Sequence, residues 1–344
     1  MSTLEDKIQF AVLKKAGLIY VSDQEPGISR ERRGKNFCYR LPSGDLLTDP
    51  EVRTRIKSLG LPPAYDNVWI CLKENGHLQA TGLDARGRKQ YRYHNDWHML
   101  RDEKKFDELS AFGQALPVIR RRAARDLERH ADPQCLTLAA LVLLLDTSYL
   151  RVGNKTYRDT NGTYGATTLL KKHVRFGADL ELRFAAKGGR KIRRRLQAPK
   201  LQKVLERIAG LPGRELFVWQ DNAGQLHSVD AGHLNRYLGE IGEGGFSAKT
   251  FRTWGGTLAA FSRAMAEIKQ GQAPTVKALT HAASEELFNT PAVCRKSYIH
   301  PSVLSLATDA SRAEILAAQL RVSAAAIRGL SASERRLLAY LNAG

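Results

Sequence analysis

The spacing of apolar residues changes near residue 100, and this change limits the possible folds more than any other feature of the chain. Before it, short alternating runs are separated by turn residues such as the pair Asn75-Gly76, which is typical of tight hairpins. After it, longer segments of helical period follow, as at 103–116, 118–130 and 247–269. The pattern predicts an α+β fold, with a small strand-rich domain over residues 1–100 and a larger, mainly helical domain over residues 101–344.

One predicted strand pair interrupts the helical part. Residues 180–184 alternate strictly, residues 187–190 supply a turn, and residues 192–196 form the returning strand. Lys187 therefore lies at the mouth of a hairpin. The segment 187–195 holds six basic residues in nine, and we interpret it as a contact to phosphates, with a solvated charged strand as the alternative.

The chain carries a large excess of positive charge. Its 344 residues include 54 lysines and arginines but 35 aspartates and glutamates, which gives a formal net charge of +19. Charge of one sign destabilises a compact fold by self-repulsion, so a polyanionic partner is expected. Nucleic acid is the first choice for that partner, and an anionic membrane surface is the second.

The sequence argues against three other classes of protein. Its longest apolar stretch, 138–145, is too short to cross a bilayer, so no membrane-spanning protein is expected. No basic segment followed by an apolar core lies near the N-terminus, which predicts an intracellular protein. The four cysteines form no Cys-x-x-Cys pair and are predicted to be reduced thiols rather than disulfides or zinc ligands.

The segment 86–94 places basic residues beside two tyrosines and an amide. Such a mixture suits contacts to DNA, because Arg and Gln side chains donate to base edges and Tyr hydroxyls donate to phosphates. An exposed polar strand is the alternative that composition leaves open.

Three segments of the helical part each place a cation or a phenol in a defined local context. Arg151 ends an apolar helical segment, where it either pairs with a carboxylate such as Asp146 or awaits a phosphate. Lys249 and Arg252 are three residues apart and share a helix face, with two solvated cations as the alternative. Tyr298 lies near the end of a short predicted helix, where a half-buried packing residue is the commoner role.

The order of these residues carries more information than any one of them. In chain order they are Arg151, Lys187, Lys249, Arg252, Asn289 and Tyr298. This series resembles the active site of type IB DNA topoisomerases, in particular the short bacterial and poxvirus-like branch, and the resemblance extends back to the motif at 87–91. It implies an N-terminal DNA-binding domain and a catalytic domain of the tyrosine recombinase/type IB topoisomerase type, which form a clamp around duplex DNA.

The resemblance also implies a mechanism. Enzymes of this family cut one strand by tyrosine attack, hold the 3′-phosphate as a phosphotyrosine, let the strand swivel and reseal it. Tyr298 would be the nucleophile, and Arg151 and Arg252 would contact the non-bridging oxygens of the scissile phosphate. Lys187 would protonate the departing 5′-oxygen, and Lys249 matches a supporting lysine of the family one turn before Arg252. Fixed guanidiniums stabilise the charge without a metal, and the phosphotyrosine stores the bond energy, so no metal, ATP or other cofactor is expected.

Asn289 is a departure from the family, because many members carry His at this place. An amide donates a hydrogen bond to a phosphate oxygen as a neutral His does, but it cannot exchange a proton. We therefore expect Asn289 only to stabilise the phosphate, and we expect near-normal cleavage.

Further contacts to double-stranded DNA are implied outside the active site. The residues concerned are Arg88, Gln90, Tyr91 and Tyr93 in the N-terminal domain and Tyr157 after the first arginine. The resemblance also implies a cytoplasmic, nucleoid-associated enzyme that acts as a monomer and has no membrane partner.

Two other functions are compatible with parts of the pattern. A tyrosine site-specific recombinase uses a similar Arg, Lys, Arg and Tyr set, but it more often carries His where Lys249 stands, and its DNA-binding domain is helical. A non-catalytic DNA-packaging or RNA-binding protein accounts for the charge but assigns no task to the ordered series.

Overall fold

The computed structural model describes residues 13, 16–34, 36–85, 87–128, 132–241, 245–320 and 326–343, without the side chains of residues 98, 101–104, 156 and 157. Contacts divide the chain into two compact units, Met1–Lys104 and Lys105–Gly344. Helices and sheets are both present. Within the described ranges, no helix is long and apolar enough to cross a membrane.

The first unit is built on an antiparallel sheet of five strands in the order β2-β1-β3-β4-β5. The elements are β1 Ile28–Arg33, β2 Asn36–Arg40, α1 Pro50–Ser58, β3 Asp66–Ile70, β4 Leu78–Leu83 and β5 Lys89–Tyr93. Ile28, Ile70 and Ala80 from the sheet pack with Ile56 of α1 in a small apolar core. This part is rich in strands, as predicted, and β5 is an edge strand of its sheet.

The loop at Asn75-Gly76 is wider than the sequence predicts. Strands β3 and β4 pair as expected, but residues 71–77 separate them, and neither Asn75 nor Gly76 has a positive φ. The Asn75 carbonyl instead accepts a hydrogen bond of 3.0 Å from the N–H of Ile19. A Cβ at Gly76 would lie 2.6 Å from Cys71 Sγ, so the glycine serves close packing rather than a tight turn.

The second unit surrounds a buried helix, α3. The helices after the first sheet are α2 Asn95–Glu128, α3 Pro133–Ser148, α4 Lys155–Asn161, α5 Pro199–Ala209, α6 Ala231–Ile241, α7 Ala248–Lys269, α8 Val276–Leu287, α9 Pro291–Ser297, α10 Pro301–Ser305, α11 Ala310–Leu320 and α12 Ala332–Ala343. Helix α3 is buried along nearly its whole length, as its apolar sequence predicts. It begins after the N-cap Asp132 and ends at Tyr149, whose φ of 51° turns the chain away.

The predicted helical segments 103–116 and 118–130 lie in one helix, α2, as far as Glu128, and this helix contains Pro117. Residues 129 and 130 of the second predicted segment lie outside the described residues. A proline in a helix interior removes one backbone hydrogen bond. The apolar stripe nevertheless continues across it into the core, through Leu109, Phe112, Leu116, Ile119 and Ala123. Burial of this stripe keeps the helix continuous, which the local sequence does not indicate.

A buried ion-pair network ties the C-terminal helix α12 to the core. Arg120 of α2 donates to the Asp146 carboxylate at 2.8 and 2.9 Å and to Glu334 of α12 at 2.7 Å. The indole of Trp254, on α7, donates to the same Glu334 oxygen at 3.4 Å. Asp146 is therefore engaged by Arg120, and the hypothesis that it pairs with Arg151 is wrong.

A three-stranded sheet, ordered β6-β7-β8, carries the predicted hairpin. Its strands are β6 Val174–Arg175, β7 Leu180–Ala186 and β8 Arg190–Leu196, and a smaller pair follows, β9 Val218–Gln220 and β10 Leu226–Ser228. Ala186 pairs with Arg190, so the turn consists of Lys187, Gly188 and Gly189. The two glycines have φ values of 79° and 74°, which favour glycine. The predicted hairpin and its turn are confirmed.

Candidate active site

Arg252 of α7 is a buried cation, with 4% of its surface exposed. Its guanidinium donates to the carbonyl oxygens of Tyr149 and, at 3.1 Å, Leu287, while its Nε has no partner among the described residues. Burial lowers the pKa of Arg252, because the charged form loses hydration, and Tyr298 opposes this effect. Lys249, one turn earlier, is exposed. The alternative of two solvated cations is therefore wrong for Arg252.

Tyr298 lies beside this guanidinium. The Cζ atom of Arg252 is 5.0 Å from the centre of the Tyr298 ring. Tyr298 follows α9, and its N–H donates to the carbonyl of Cys294 at 2.9 Å. The hydroxyl of Thr257, on α7, donates to the Tyr298 carbonyl at 3.3 Å and accepts from the N–H of His300 at 3.1 Å. The ring is half-buried, and hydrogen bonds hold the backbone on both sides of it.

Two glycines of α7 allow these segments to approach the helix. A Cβ at Gly255 would overlap the Tyr149 ring, and a Cβ at Gly256 would lie 2.6 Å from the Tyr298 carbonyl oxygen. A larger residue at either position would push its neighbour away from α7. The sequence of α7 thus supplies the buried cation Arg252 and also the space in which the segments of Tyr149 and Tyr298 pack against this helix.

Arg151 reaches the same cluster from the segment after α3. It is half-buried, and its carbonyl accepts a hydrogen bond of 2.8 Å from the N–H of Ala166. Burial has the largest effect on the pKa of Arg252, and the charge of Arg151 lowers that pKa further. The two guanidiniums are thus close enough to repel each other, an arrangement that an anion would stabilise. Tyr157, on α4, has a side chain outside the described residues.

Asn289 contributes an amide with an unused N–H. Phe288, with a φ of 48°, ends α8, and the N–H of Asn289 then donates to the carbonyl of Ser284 at 3.0 Å. The Oδ1 atom of Asn289 accepts a hydrogen bond of 3.0 Å from the N–H of Thr290. Its Nδ2 atom is buried and finds no acceptor in the part of the chain that the structure describes.

The β7–β8 hairpin is held against the segment that carries Asn289. Arg190 donates to the backbone carbonyl of Asn289 at 2.5 Å. Further along β8, Arg194 donates to the backbone carbonyl of Glu286 at 2.8 Å and forms an ion pair with its carboxylate. These contacts join the hairpin to the chain between α8 and α9.

Lys187 is exposed at the turn of this hairpin and has no hydrogen bond or ion pair with the described residues. Other cations of the hairpin are engaged within the protein. Arg193 and Arg183 hold the pKa of the Glu181 carboxyl down at about 2, and Arg195 lies 3.6 Å from the same carboxylate. Segment 187–195 therefore anchors the hairpin as well as adding charge, a role that its composition does not indicate.

The cluster combines positive charge with unsatisfied donors. The Nε of Arg252 and the Nδ2 of Asn289 are buried, and each unpaired buried donor costs about 1–3 kcal/mol. An anion with several acceptor oxygens would satisfy both, and a phosphodiester is such an anion. Within the described ranges, no group of His, Cys, Asp or Glu is arranged to hold a metal ion.

The predicted DNA contacts of the first unit lie at and just before β5 and form two groups. Arg88 Nε and Gln90 Nε2 donate to the same oxygen of Asp84, at 2.8 and 2.9 Å. The rings of Tyr91 and Tyr93 stack with their centres 6.0 Å apart. Successive side chains of a strand point to opposite faces, so Gln90 and the tyrosines lie on opposite faces of β5.

Comparison with known proteins shows the family. Residues 93–303 match the sequence model described as eukaryotic DNA topoisomerase I, catalytic core, and residues 36–84 match that of the bacterial DNA topoisomerase IB N-terminal domain. The chain belongs to the type IB DNA topoisomerase family. It is 29% identical over 294 residues to DNA topoisomerase 1B of Acanthamoeba polyphaga mimivirus, over 81% of this chain and 87% of that protein. A type IB topoisomerase is an isomerase that relaxes supercoiled DNA, and the recombinase alternative is not favoured.

The candidate site also contains residues that the sequence analysis does not identify. Thr257 fixes the backbone of the tyrosine, the Tyr149 carbonyl anchors the buried arginine, and Arg190 holds the hairpin. The pair Gly255-Gly256 is a sequence signal for close packing at this point of α7. A backbone carbonyl that serves as an acceptor leaves no such signal.

Proposed function

We propose that this topoisomerase cleaves one strand of duplex DNA with Tyr298 as the nucleophile, while Arg151 and Arg252 hold the scissile phosphate. One observation carries the proposal. Arg252, beside the Tyr298 ring, has a buried Nε without a partner among the described residues. Asn289, two residues after the Leu287 carbonyl that Arg252 contacts, has a buried Nδ2 without one. The non-bridging oxygens of a phosphodiester are acceptors for both. The phosphate then lies within reach of the phenol.

The cleavage step exchanges one phosphate ester for another. The Tyr298 oxygen forms a bond to phosphorus, the bond from phosphorus to the 5′-oxygen breaks, and the 3′-phosphate stays on the tyrosine. The phenol proton passes to water, and Lys187 donates a proton to the departing oxygen, with Lys249 in support. The guanidiniums stabilise the charge on the equatorial oxygens. Resealing reverses the step without ATP, and rotation between the two steps relaxes supercoils of either sign.

The proposal includes the finer architecture of the enzyme. The two units form a clamp around duplex DNA, the second unit has the tyrosine recombinase type of fold, and the enzyme works as a monomer. The net charge of +19 and the exposed basic and aromatic side chains at β5 support this arrangement. The DNA contacts proposed outside the active site are Arg88, Gln90, Tyr91, Tyr93 and Tyr157. Because its substrate is DNA, the enzyme is proposed to be cytoplasmic and associated with the nucleoid.

A plasmid assay tests the proposed function. The purified protein should relax both positively and negatively supercoiled plasmid in EDTA without ATP. A recombinase needs paired cognate sites and leaves the topology of a generic plasmid unchanged. If the protein binds plasmid but does not change its linking number, the proposed function fails.

Replacing Asn289 by alanine should slow cleavage about tenfold or more, because the phosphate loses one hydrogen bond. The measurement is single-turnover cleavage at saturating DNA, which separates this loss from weaker binding. Asn289→His keeps an N–H donor and should stay within about threefold of the wild type. If Asn289→Ala cleaves as fast as the wild type, its amide does not bind the phosphate.

A further inference from the structure

We infer that Arg190 is a positioning residue, which places Lys187 by holding the β7–β8 hairpin against the segment that carries Asn289. The inference rests on the proposed role of Lys187 as the acid. The contact that carries it is the hydrogen bond of 2.5 Å from the Arg190 guanidinium to the backbone carbonyl of Asn289. It links the turn of the proposed acid to a residue of the proposed phosphate site.

Arg190 stands at the base of the turn. It is the first residue of β8 and pairs with Ala186, so Lys187 lies directly between this pair and the two glycines. Glycine loses more backbone freedom on ordering than any other residue, so Gly188 and Gly189 alone give the turn little rigidity. Contacts at the base of the turn must therefore define where Lys187 points.

Arg194 anchors the same strand at a second point. Its guanidinium donates to the carbonyl of Glu286 at 2.8 Å, pairs with the Glu286 carboxylate and lies 5.6 Å from the centre of the Phe288 ring. Because Arg194 attaches the middle of β8, the part of the hairpin that is still free to move is its tip, the turn of Lys187, Gly188 and Gly189. Arg190 is the residue that attaches the tip.

Arg190 also lies near the cations of the proposed phosphate site. Burial raises the pKa of the Cys294 thiol to about 11, and the charges of Arg252, Arg151 and Arg190 oppose this rise. All three guanidiniums therefore affect the same buried thiol. A direct phosphate contact by Arg190 is the rival role, and the substrate chemistry below separates the two.

The experiment compares two DNA substrates at a cleavage site mapped with the wild type. One is unmodified, and the other has sulfur in place of the 5′-oxygen of the scissile bond. A thiolate leaves without needing a proton, so a defect in proton donation disappears on the sulfur substrate. A defect in phosphate binding or folding affects both substrates. The variants are Arg190→Met, Lys187→Met and, as matched control, Arg183→Met, which removes a guanidinium from β7 of the same hairpin.

We expect Arg190→Met to slow single-turnover cleavage of the unmodified substrate about tenfold and Lys187→Met about 10³-fold. On the sulfur substrate both should cleave within about twofold of the wild type, because no proton is required. Arg183→Met should resemble the wild type on both substrates.

The two possible failures differ. If Lys187→Met stays slow on the sulfur substrate, Lys187 is not the acid and the proposed function of this residue fails. If sulfur rescues Lys187→Met, the inference for Arg190 is overturned by either of two results. One is an Arg190→Met variant that cleaves the unmodified substrate at the wild-type rate, and the other is an equal defect on both substrates.

Discussion

Replacing Tyr298 by phenylalanine should abolish both plasmid relaxation and the covalent protein–DNA adduct. In the proposed mechanism the phenol oxygen of Tyr298 bonds to phosphorus, and removal of a nucleophile lowers the rate by about 10⁵-fold or more. The phenylalanine ring keeps its place 5.0 Å from the Arg252 guanidinium, and the backbone keeps its hydrogen bond with Thr257. The variant should therefore fold and bind DNA as the wild type does.

The adduct is measured after denaturation with detergent, which releases DNA that is only bound. Tyr340→Phe is the matched control, because the Tyr340 hydroxyl donates to the Ser302 carbonyl at 2.8 Å, outside the proposed site. This control should form the adduct and lose about 1 kcal/mol of stability. An adduct that persists in Tyr298→Phe would place the nucleophile elsewhere in the chain.

The sequence predicts the fold best where one period of apolar residues dominates. Helix α3 is buried on nearly all sides and reads as an apolar run, and the strict alternation at 180–184 predicts β7. The predicted bounds of helices and turns are wrong where contacts with distant residues override the local sequence signal. The stripe across Pro117 joins two predicted segments into α2, and pairing with Ile19 widens the loop at Asn75-Gly76.

The candidate site likewise has features that the local sequence indicates and features that distant contacts decide. The order of Arg, Lys and Tyr along the chain indicates which residues to expect in the site, because the resemblance to the family rests on that order. Their partners are not predictable, since they come from distant segments. Arg120 takes the carboxylate of Asp146, which the local sequence offers to Arg151. The acceptors of Arg252 are backbone carbonyls, which every residue carries and no sequence pattern marks.

Replacing Arg252 by lysine should lower the cleavage rate almost as much as replacing it by methionine, about 10³-fold. The two terminal nitrogens of the guanidinium donate to the carbonyls of Tyr149 and Leu287, and Nε is the donor that the proposed mechanism assigns to the phosphate. A lysine ammonium is a compact point charge and cannot reproduce the planar arrangement of guanidinium donors. It therefore leaves either the carbonyls or the phosphate without a donor. Conservation of charge is therefore not sufficient at this position.

A change in the phosphate separates a catalytic role of Arg252 from a structural one. Replacing a non-bridging oxygen of the scissile phosphate by methyl removes the charge that the guanidinium stabilises, so the defect of Arg252→Lys should shrink to about tenfold or less. Arg263→Lys is the control, because Arg263 lies on the same helix and pairs with Glu267 at 2.8 Å. It should cleave both substrates as the wild type does. An Arg252→Lys defect of equal size on both substrates would mean that Arg252 only holds α7 to the carbonyls. The loss of rate would then come from displaced chain segments and not from an unstabilised phosphate.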